Sequence, residues 1–330
     1  MPNRSFNATS SETIQGQETG RSMKNLKLKN LKRWQGRWAC VGGGSAGLGL
    51  VLARQLVLQG ANVAIIGRDP TRLSQAVQEL EVLARQCSTT GKIVSFAVDL
   101  ASSRSTAGGS PSIDFSDSSG DSNYCGDLSR WLEWLNEVQL DLAIAAAGKS
   151  DRGYLSQLNL DELRTIFEAN VSTSFAFGQY CEESLSRGKG TLVHISSLAG
   201  IVAAPGMGAY SIAKHAVVAL SRQLRLELAP KGIRVLLVCP GPITFKNLTN
   251  SNHQGRYDEL VKQRELPPEL AKPAAGKKVR SIDADSLAEK ILLAVEVGTK
   301  ELIIPEKVRW LAALGMLFPS FADYMLGKKK

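Results

Sequence analysis

The sequence predicts an α/β protein built as a single domain around one doubly wound parallel sheet of about seven strands. Three observations carry this expectation. Short apolar runs recur at Trp38–Val41, Asn62–Ile66, Ile93–Val98, Leu142–Ala145, Thr191–Ile195, Arg234–Val238 and Leu302–Ile304. Longer stretches with helical spacing, such as Gly49–Leu58, Thr71–Arg85 and Leu128–Val138, lie between them. The runs are apolar throughout instead of alternating, as expected of strands covered by helices on both faces.

Composition narrows the function classes. Of 330 residues, 43% are hydrophobic and 22% charged, enough for a sizeable core. The net charge of +9 sits in the tails: residues 1–37 hold eight Lys/Arg against two Asp/Glu, and Lys328–Lys330 close the chain. Between them, residues 38–327 carry 29 charges of each sign, so no basic face for nucleic acid is expected. Five scattered cysteines and three histidines show no metal-ligand spacing. Cys40 and Cys239 lie inside apolar runs and read as core residues, and the odd, scattered set fits a reduced, cytoplasmic compartment.

Taking the elements in order, residues 1–37 read as a basic, largely disordered extension with no secretory signal. Within it, Arg21–Arg37 interleaves Met23, Leu26, Leu28, Leu31 and Trp34 with bases. This is either a basic amphipathic helix on a membrane or a solvated tail running into the first strand, and the tail is the expectation. The first strand leads into Gly42-Gly43-Gly44-Ser45-Ala46-Gly47-Leu48-Gly49 and then a helix. Glycines there allow a sharp turn and let backbone N–H groups approach a pyrophosphate at the helix N-terminus, with Gly43, Ser45, Gly47, Leu48 and Gly49 as contacts. The fold is accordingly of the Rossmann type, although the spacing Gly43-x3-Gly47-x-Gly49 departs from G-x-G-x-x-G.

At the end of the second strand, where a ribose-binding acid commonly stands, the sequence has Gly67 followed by Arg68. A guanidinium suits a 2′-phosphate, so the predicted cofactor is NADP (NADPH). Ser102–Gly126 is rich in Ser, Gly and Asp and reads as a disordered insertion, followed by a helix from Leu128 with Asp127 as its N-cap.

Tyr210-Ser211-Ile212-Ala213-Lys214 places a phenol and an ammonium four residues apart, on one helix face. A nearby ammonium favours the phenolate and tunes the phenol for proton transfer. Thirteen residues earlier, at a strand end, Ser197 can polarise a carbonyl. The segment Ile243–Arg280, with Pro267, Pro268 and Pro273 and eight bases against four acids, reads as a substrate lid. Its bases suit either an anionic substrate handle or a solvated loop.

With Asn170 before these residues and Pro240-Gly241-Pro242-Ile243 after the sixth strand, the chain resembles the short-chain dehydrogenase/reductase family from Trp38 to Ile304. The resemblance implies the strand order 3-2-1-4-5-6-7 and a homo-oligomer. It also implies a catalytic set of Asn170, Ser197, Tyr210 and Lys214, in which Asn170 holds a water linked to the lysine. Further cofactor contacts implied are Asp99 to the adenine, Gly148 by backbone approach, Tyr210 and Lys214, and Pro240, Gly241, Ile243 and Thr244 on the nicotinamide side. Three places depart from the family pattern: Gly42 stands where the family often has Thr, Ala145-Ala146-Ala147-Gly148 replaces Asn-Asn-Ala-Gly, and Thr244 falls one place early with Phe245 in its slot.

The expected function is hydride transfer between NADP and a carbonyl or alcohol carbon of a small molecule, as a ketone reductase on a lipid-like or acyl substrate. The alternative is a non-catalytic, dinucleotide-sensing binding protein on the same fold. Residues 38–307 then form the catalytic domain, and residues 308–330 an apolar and basic C-terminal segment with Trp310, Leu311, Leu314, Leu317, Phe318 and Phe321. That segment either packs on the enzyme, which is the default, makes a dimer contact, or lies peripherally on a membrane, and it resembles extensions of reductases acting on lipid-like ketones, such as 3-ketosphinganine reductases.

Overall fold

In the computed structural model the described residues are 33–101, 122–245, 259, 261–268, 280–318 and 320. Their elements run β1 (Trp38–Gly42), α1 (Gly47–Leu58), β2 (Asn62–Gly67), α2 (Pro70–Gln86), β3 (Ile93–Ala97), α3 (Ser122–Glu137), β4 (Leu140–Ala145), α4 (Leu160–Phe167) and α5 (Thr173–Gly188). They continue with β5 (Thr191–Ile195), α6 (Gly208–Leu228), β6 (Arg234–Pro240), β7 (Ile243–Thr244), β8 (Ile282–Asp283), α7 (Ala284–Glu296), β9 (Glu301–Ile304) and α8 (Lys307–Leu317).

Seven strands pair in the order β3-β2-β1-β4-β5-β6-β9, all in parallel, as the resemblance implied. Val41 of β1 sits between Ile65 of β2 and Ile144 of β4. The order reverses between β1 and β4, and such a switch point opens a crevice at the carboxyl ends of the strands. Side chains divide between two cores. Val41, Ile65 and Ile144 face a core shared with α1, α2 and α7, while Cys40, Ala64 and Ala143 face one shared with α3 and α5. Both faces are covered, which is why the strand sequences do not alternate. In the second core Trp131 and Phe177 stack with ring centroids 6.0 Å apart.

Three expectations need correction. Helix α3 begins at Ser122, so residues 122–126 are helical and not part of a disordered insertion, and Asp127 lies inside the helix. Its Oδ2 accepts from Ala97 N at 2.9 Å, so the carboxylate ties α3 to the end of β3 instead of capping a helix. The remainder of the insertion, 102–121, lies outside the described residues. The boundary at residue 38 also moves, because Trp34 is buried in the first core and Arg33 pairs with Glu296 at 2.6 Å. The expectation for residues 1–32 again lies outside the described residues. Finally, α8 packs by one edge only: Val308 is buried, whereas Trp310, Leu314, Leu317 and Phe318 are exposed. Among the described residues no helix is long and apolar enough to cross a membrane.

The ribbon β7–β8 was not expected; at two residues per strand it is too short to show any periodicity.

Candidate active site

The chain turns after β1 through Gly43 and Gly47 at φ +77° and +54°, a region that favours glycine. A Cβ on Gly43 would lie 2.7 Å from Ala147 N, and one on Gly49 would lie 2.2 Å from the Gly43 carbonyl oxygen. The turn is therefore closed down onto the loop after β4, with Leu48 buried beneath it. Helix α1 starts from Ala46 with no side-chain cap and no acid in its first turn. Its leading N–H groups are left for an anion from outside the helix.

Ser45 Oγ faces the end of β2, 3.0 Å from where a Gly67 Cβ would stand. Arg68 follows, exposed. The neighbouring acid Asp69 is committed elsewhere: its Oδ1 accepts from Arg72 N at 3.0 Å as the N-cap of α2. Asp99, half-buried after β3, accepts from Ala101 N at 3.1 Å through Oδ1. These residues line the same carboxyl edge of the sheet as the turn.

Beyond β4, Gly148 makes room for Asn170, whose Oδ1 lies 2.7 Å from the ideal Gly148 Cβ position. Asn170 is fully buried within a single π-helical turn, residues 168–172, between α4 and α5. Such turns occur frequently at functional sites. Its Nδ2 donates to the Lys149 and Ile166 carbonyls, both at 2.8 Å. That fixes Oδ1 toward Gly148, where it has no partner among the described residues.

Ser197 leaves β5 in extended backbone, and its Oγ accepts from Ala199 N at 3.2 Å. Ser211 Oγ donates to the Ala199 carbonyl at 2.9 Å, tying the serine loop to α6. On α6, Lys214 Nζ lies 5.6 Å from the centroid of the Tyr210 ring and donates to the Ile195 carbonyl at 3.0 Å. Burial lowers the Lys214 pKa from 10.5 to about 8, opposed by Cys239. Asn170, Ser197, Tyr210 and Lys214 are thus brought to one edge by three segments, the π-helical turn, the loop after β5 and α6. Burial also lowers the His194 pKa to about 4, so this imidazole of β5 is neutral near pH 7.

On the opposite side of the crevice, Gly241 N donates to the Ile304 carbonyl at 2.8 Å and holds the Pro240–Gly241 turn against β9. Ile243 packs on the first core. Thr244 is exposed, and its Oγ1 donates to the Ile282 carbonyl at 3.4 Å. Phe245 packs on the first core, so the shifted register commits Thr244 to the β7–β8 ribbon and Phe245 to the core.

Two charged residues near the site escaped the sequence reading, Asp151 and Arg264. The lid bases read as a substrate handle or as solvated charges, but Arg264 pairs with Asp151 at 2.7 Å and with Glu162 at 2.8 Å. The partners are 113 and 102 residues apart, beyond any local spacing. Together with Lys149 and Thr165 they border a polar cleft of about 620 Å³ beside Asn170.

Crevice, open helix end and converging polar side chains define the class, a nucleotide-binding oxidoreductase with its chemistry at the carboxyl edge of the sheet. Comparison with known proteins narrows it. A family model described as short chain dehydrogenase matches residues 37–108, and one described as enoyl-(acyl carrier protein) reductase matches residues 128–276. The ketoacyl reductase HetN of Nostoc sp. PCC 7120 is 23% identical over 297 residues, covering 87% of each chain. The NADPH-dependent 3-dehydrocapnine reductase of Ornithobacterium rhinotracheale is 28% identical over 197 residues, 57% of this chain and 68% of that one. Among solved structures, L-sorbose reductase from Gluconobacter frateurii complexed with NADPH and L-sorbose superposes with a TM-score of 0.63 at 17% identity. That match covers 83% of this chain and 97% of the other. The chain belongs to the short-chain dehydrogenase/reductase family, oxidoreductases that act on CH–OH and C=O groups with a nicotinamide dinucleotide.

Proposed function

We propose that this protein is an NADPH-dependent ketone reductase acting on a lipid-like or acyl substrate. The observation that carries the chemistry is the buried Lys214 ammonium beside the Tyr210 ring, next to Asn170 Oδ1, which has no partner among the described residues. When bound, NADPH supplies the hydride that reaches the carbonyl carbon. Tyr210 gives its phenolic proton to the carbonyl oxygen, so that C=O becomes CH–OH. Ser197 Oγ, already accepting from Ala199 N, keeps its own proton to donate to the same oxygen. Lys214 uses one N–H on the Ile195 carbonyl, leaving its others for the ribose and a water. Its charge favours the phenolate left on Tyr210. Asn170 Oδ1, fixed by the two hydrogen bonds that its own Nδ2 donates, is placed to accept from that water, through which a solvent proton returns by way of Lys214 to the Tyr210 phenolate.

For the dinucleotide, the fit rests on the uncapped end of α1, on the absence of an acid at Gly67, and on Arg68 beside it with Asp69 already used as a cap. For the substrate class, Val308 at the start of α8 packs in one apolar cluster with Leu198 and Ile201, which follow Ser197. The exposed Trp310, Leu314 and Leu317 extend this apolar surface outward. The ketoacyl and 3-dehydrocapnine reductases among its relatives are in keeping with this reading.

Two measurements test it. With a panel of β-ketoacyl and long-chain ketones, Tyr210→Phe should lower NADPH oxidation by roughly 10²–10⁴-fold, the usual contribution of a positioned acid. Unchanged turnover in Tyr210→Phe would overturn the chemistry, and no turnover by the unmutated protein would leave a dinucleotide-binding role. Arg68→Ala should weaken NADPH binding by about tenfold or more, the worth of hydrogen bonds to a charged group, and leave NADH binding nearly unchanged. Equal loss for both would remove the NADP assignment.

A further inference from the structure

Arg264 lies between β7 and β8, where the described residues are 245, 259, 261–268 and 280–281. Its side chain is only 18% exposed. Nη1 donates to Asp151 Oδ1 at 2.7 Å and to the Arg152 carbonyl oxygen, and Nη2 donates to Glu162 Oε1 at 2.8 Å. Glu162 is itself part of the capping box of α4 with Asn159. One guanidinium therefore joins the lid to the loop after β4 and to the start of α4. With both terminal nitrogens so engaged, it is not a free handle for substrate.

Asp151 carries the connection further. It is 2% exposed, and its second oxygen, Oδ2, accepts from Ala209 N at 3.1 Å. Ala209 precedes Tyr210 in the first turn of α6. A carboxylate there also meets the positive end of the helix dipole. The main chain joins the same two segments, Gly153 N donating to the Gly206 carbonyl at 3.1 Å and Gly208 N to the Gly153 carbonyl at 2.9 Å. Packing is close at both ends of the carboxylate. A Cβ on Gly208 would stand 2.3 Å from Asp151 Oδ2, and one on Gly153 would stand 2.9 Å from Arg264 Nη1.

We propose that Arg264 is a positioning residue that sets Tyr210 through Asp151, so that seating of residues 261–268 and placement of the proton donor are one event. The inference rests on the reading of Tyr210 as that donor. A buried carboxylate with one oxygen on the lid and the other on the helix passes displacement of either to the other. Misplacement of a reacting group by about 1 Å is enough to slow turnover strongly.

The test compares the full-length protein with Arg264→Gln, Arg264→Lys, Asp151→Asn and the double variant Asp151→Asn/Arg264→Gln. The readouts are kcat and KM on the ketone turned over fastest, the NADPH Kd, and hydrogen exchange of the peptide spanning 206–212. Arg264→Gln should lower kcat by about tenfold or more, as expected for a small misplacement, while NADPH Kd stays within about twofold. Arg264→Lys should recover part of the loss. The double variant should lose no more than Asp151→Asn alone, because both act through one contact. Exchange at 206–212 should quicken in Arg264→Gln, a reading that needs no turnover.

Unchanged kcat and unchanged exchange in Arg264→Gln overturn the proposal, as do additive losses in the double variant. If Asp151→Asn loses NADPH binding and so fails to fold, the Gln and Lys pair at position 264 decides alone. A kcat insensitive to Tyr210→Phe removes the underlying chemistry. A kcat that needs Tyr210 and ignores Arg264 removes only this inference.

Discussion

Helices α1 and α6 both begin at the carboxyl edge of the sheet, and their N-termini are finished in opposite ways. Neither N-cap residue, Ala46 or Met207, contributes a side-chain hydrogen bond. At α6 the missing anion arrives from far along the chain, as Asp151 accepts from Ala209 N, 58 residues away. At α1 nothing among the described residues takes that place, and the first turn contains no acid. Helices α2, α4 and α7, by contrast, are capped in the ordinary way by Asp69, Asn159 and Asp283. Every helix N-terminus attracts negative charge. The protein supplies its own where a residue must be held still, before Tyr210, and leaves the position open where a phosphate must come and go.

The most direct way to break the contrast is to close α1. Ala46 already has the extended backbone of an N-cap, φ −159° and ψ 168°, and is exposed. Ala46→Asp should therefore stabilise the free protein, by about 1 kcal/mol for a new cap. The same carboxylate would stand where the pyrophosphate is expected, and NADPH affinity should fall by about 30-fold, the upper range of a charge at a helix end. Ala46→Asn, which caps without charge, should lose less. Thermal unfolding with and without NADPH reads both effects, and an affinity untouched by Ala46→Asp would mean that α1 does not face the phosphates.

How far this site could be read in advance follows the range of the interactions. Tyr210 and Lys214 were legible because one helical turn relates them. The glycine turn and Gly67-Arg68 were legible because they sit directly at strand ends, and the strands because burial on both faces leaves an unbroken apolar run. Asp127 was misread because a Ser- and Gly-rich approach hides the true start of α3, and because its carboxylate serves β3, a tertiary partner. Trp34 was lost among the bases of the tail, although its indole lies in the core. Asp151 and Arg264 offered no signal of their pairing. Each stands among other charges, beside Arg152 and beside Lys262 and Glu265, and only the folded chain brings the two together across 113 positions.

The smallest effect expected is on the α6 side, in pH dependence. Lys214 is buried, no carboxylate pairs with it among the described residues, and burial lowers its pKa from 10.5 to about 8. Between those two values the unfolded chain binds this proton and the folded chain does not. Lys214 therefore contributes stability that grows as pH rises through that window. Its proposed role in proton transfer runs the other way, because the neutral amine no longer favours the phenolate of Tyr210. Ketone reduction, followed as kcat/KM for NADPH so that it reports the free protein, should hold below pH 8 and fall above it. Lys214→Arg, which keeps its charge, should remove that inflection even if it lowers the overall rate. Opposite signs for activity and thermal stability over one pH range separate loss of function from loss of fold. A profile flat through pH 8 to 10 would mean that the charge of Lys214 does not govern Tyr210, and the Asp151 carboxylate at the start of α6 would then serve the helix alone.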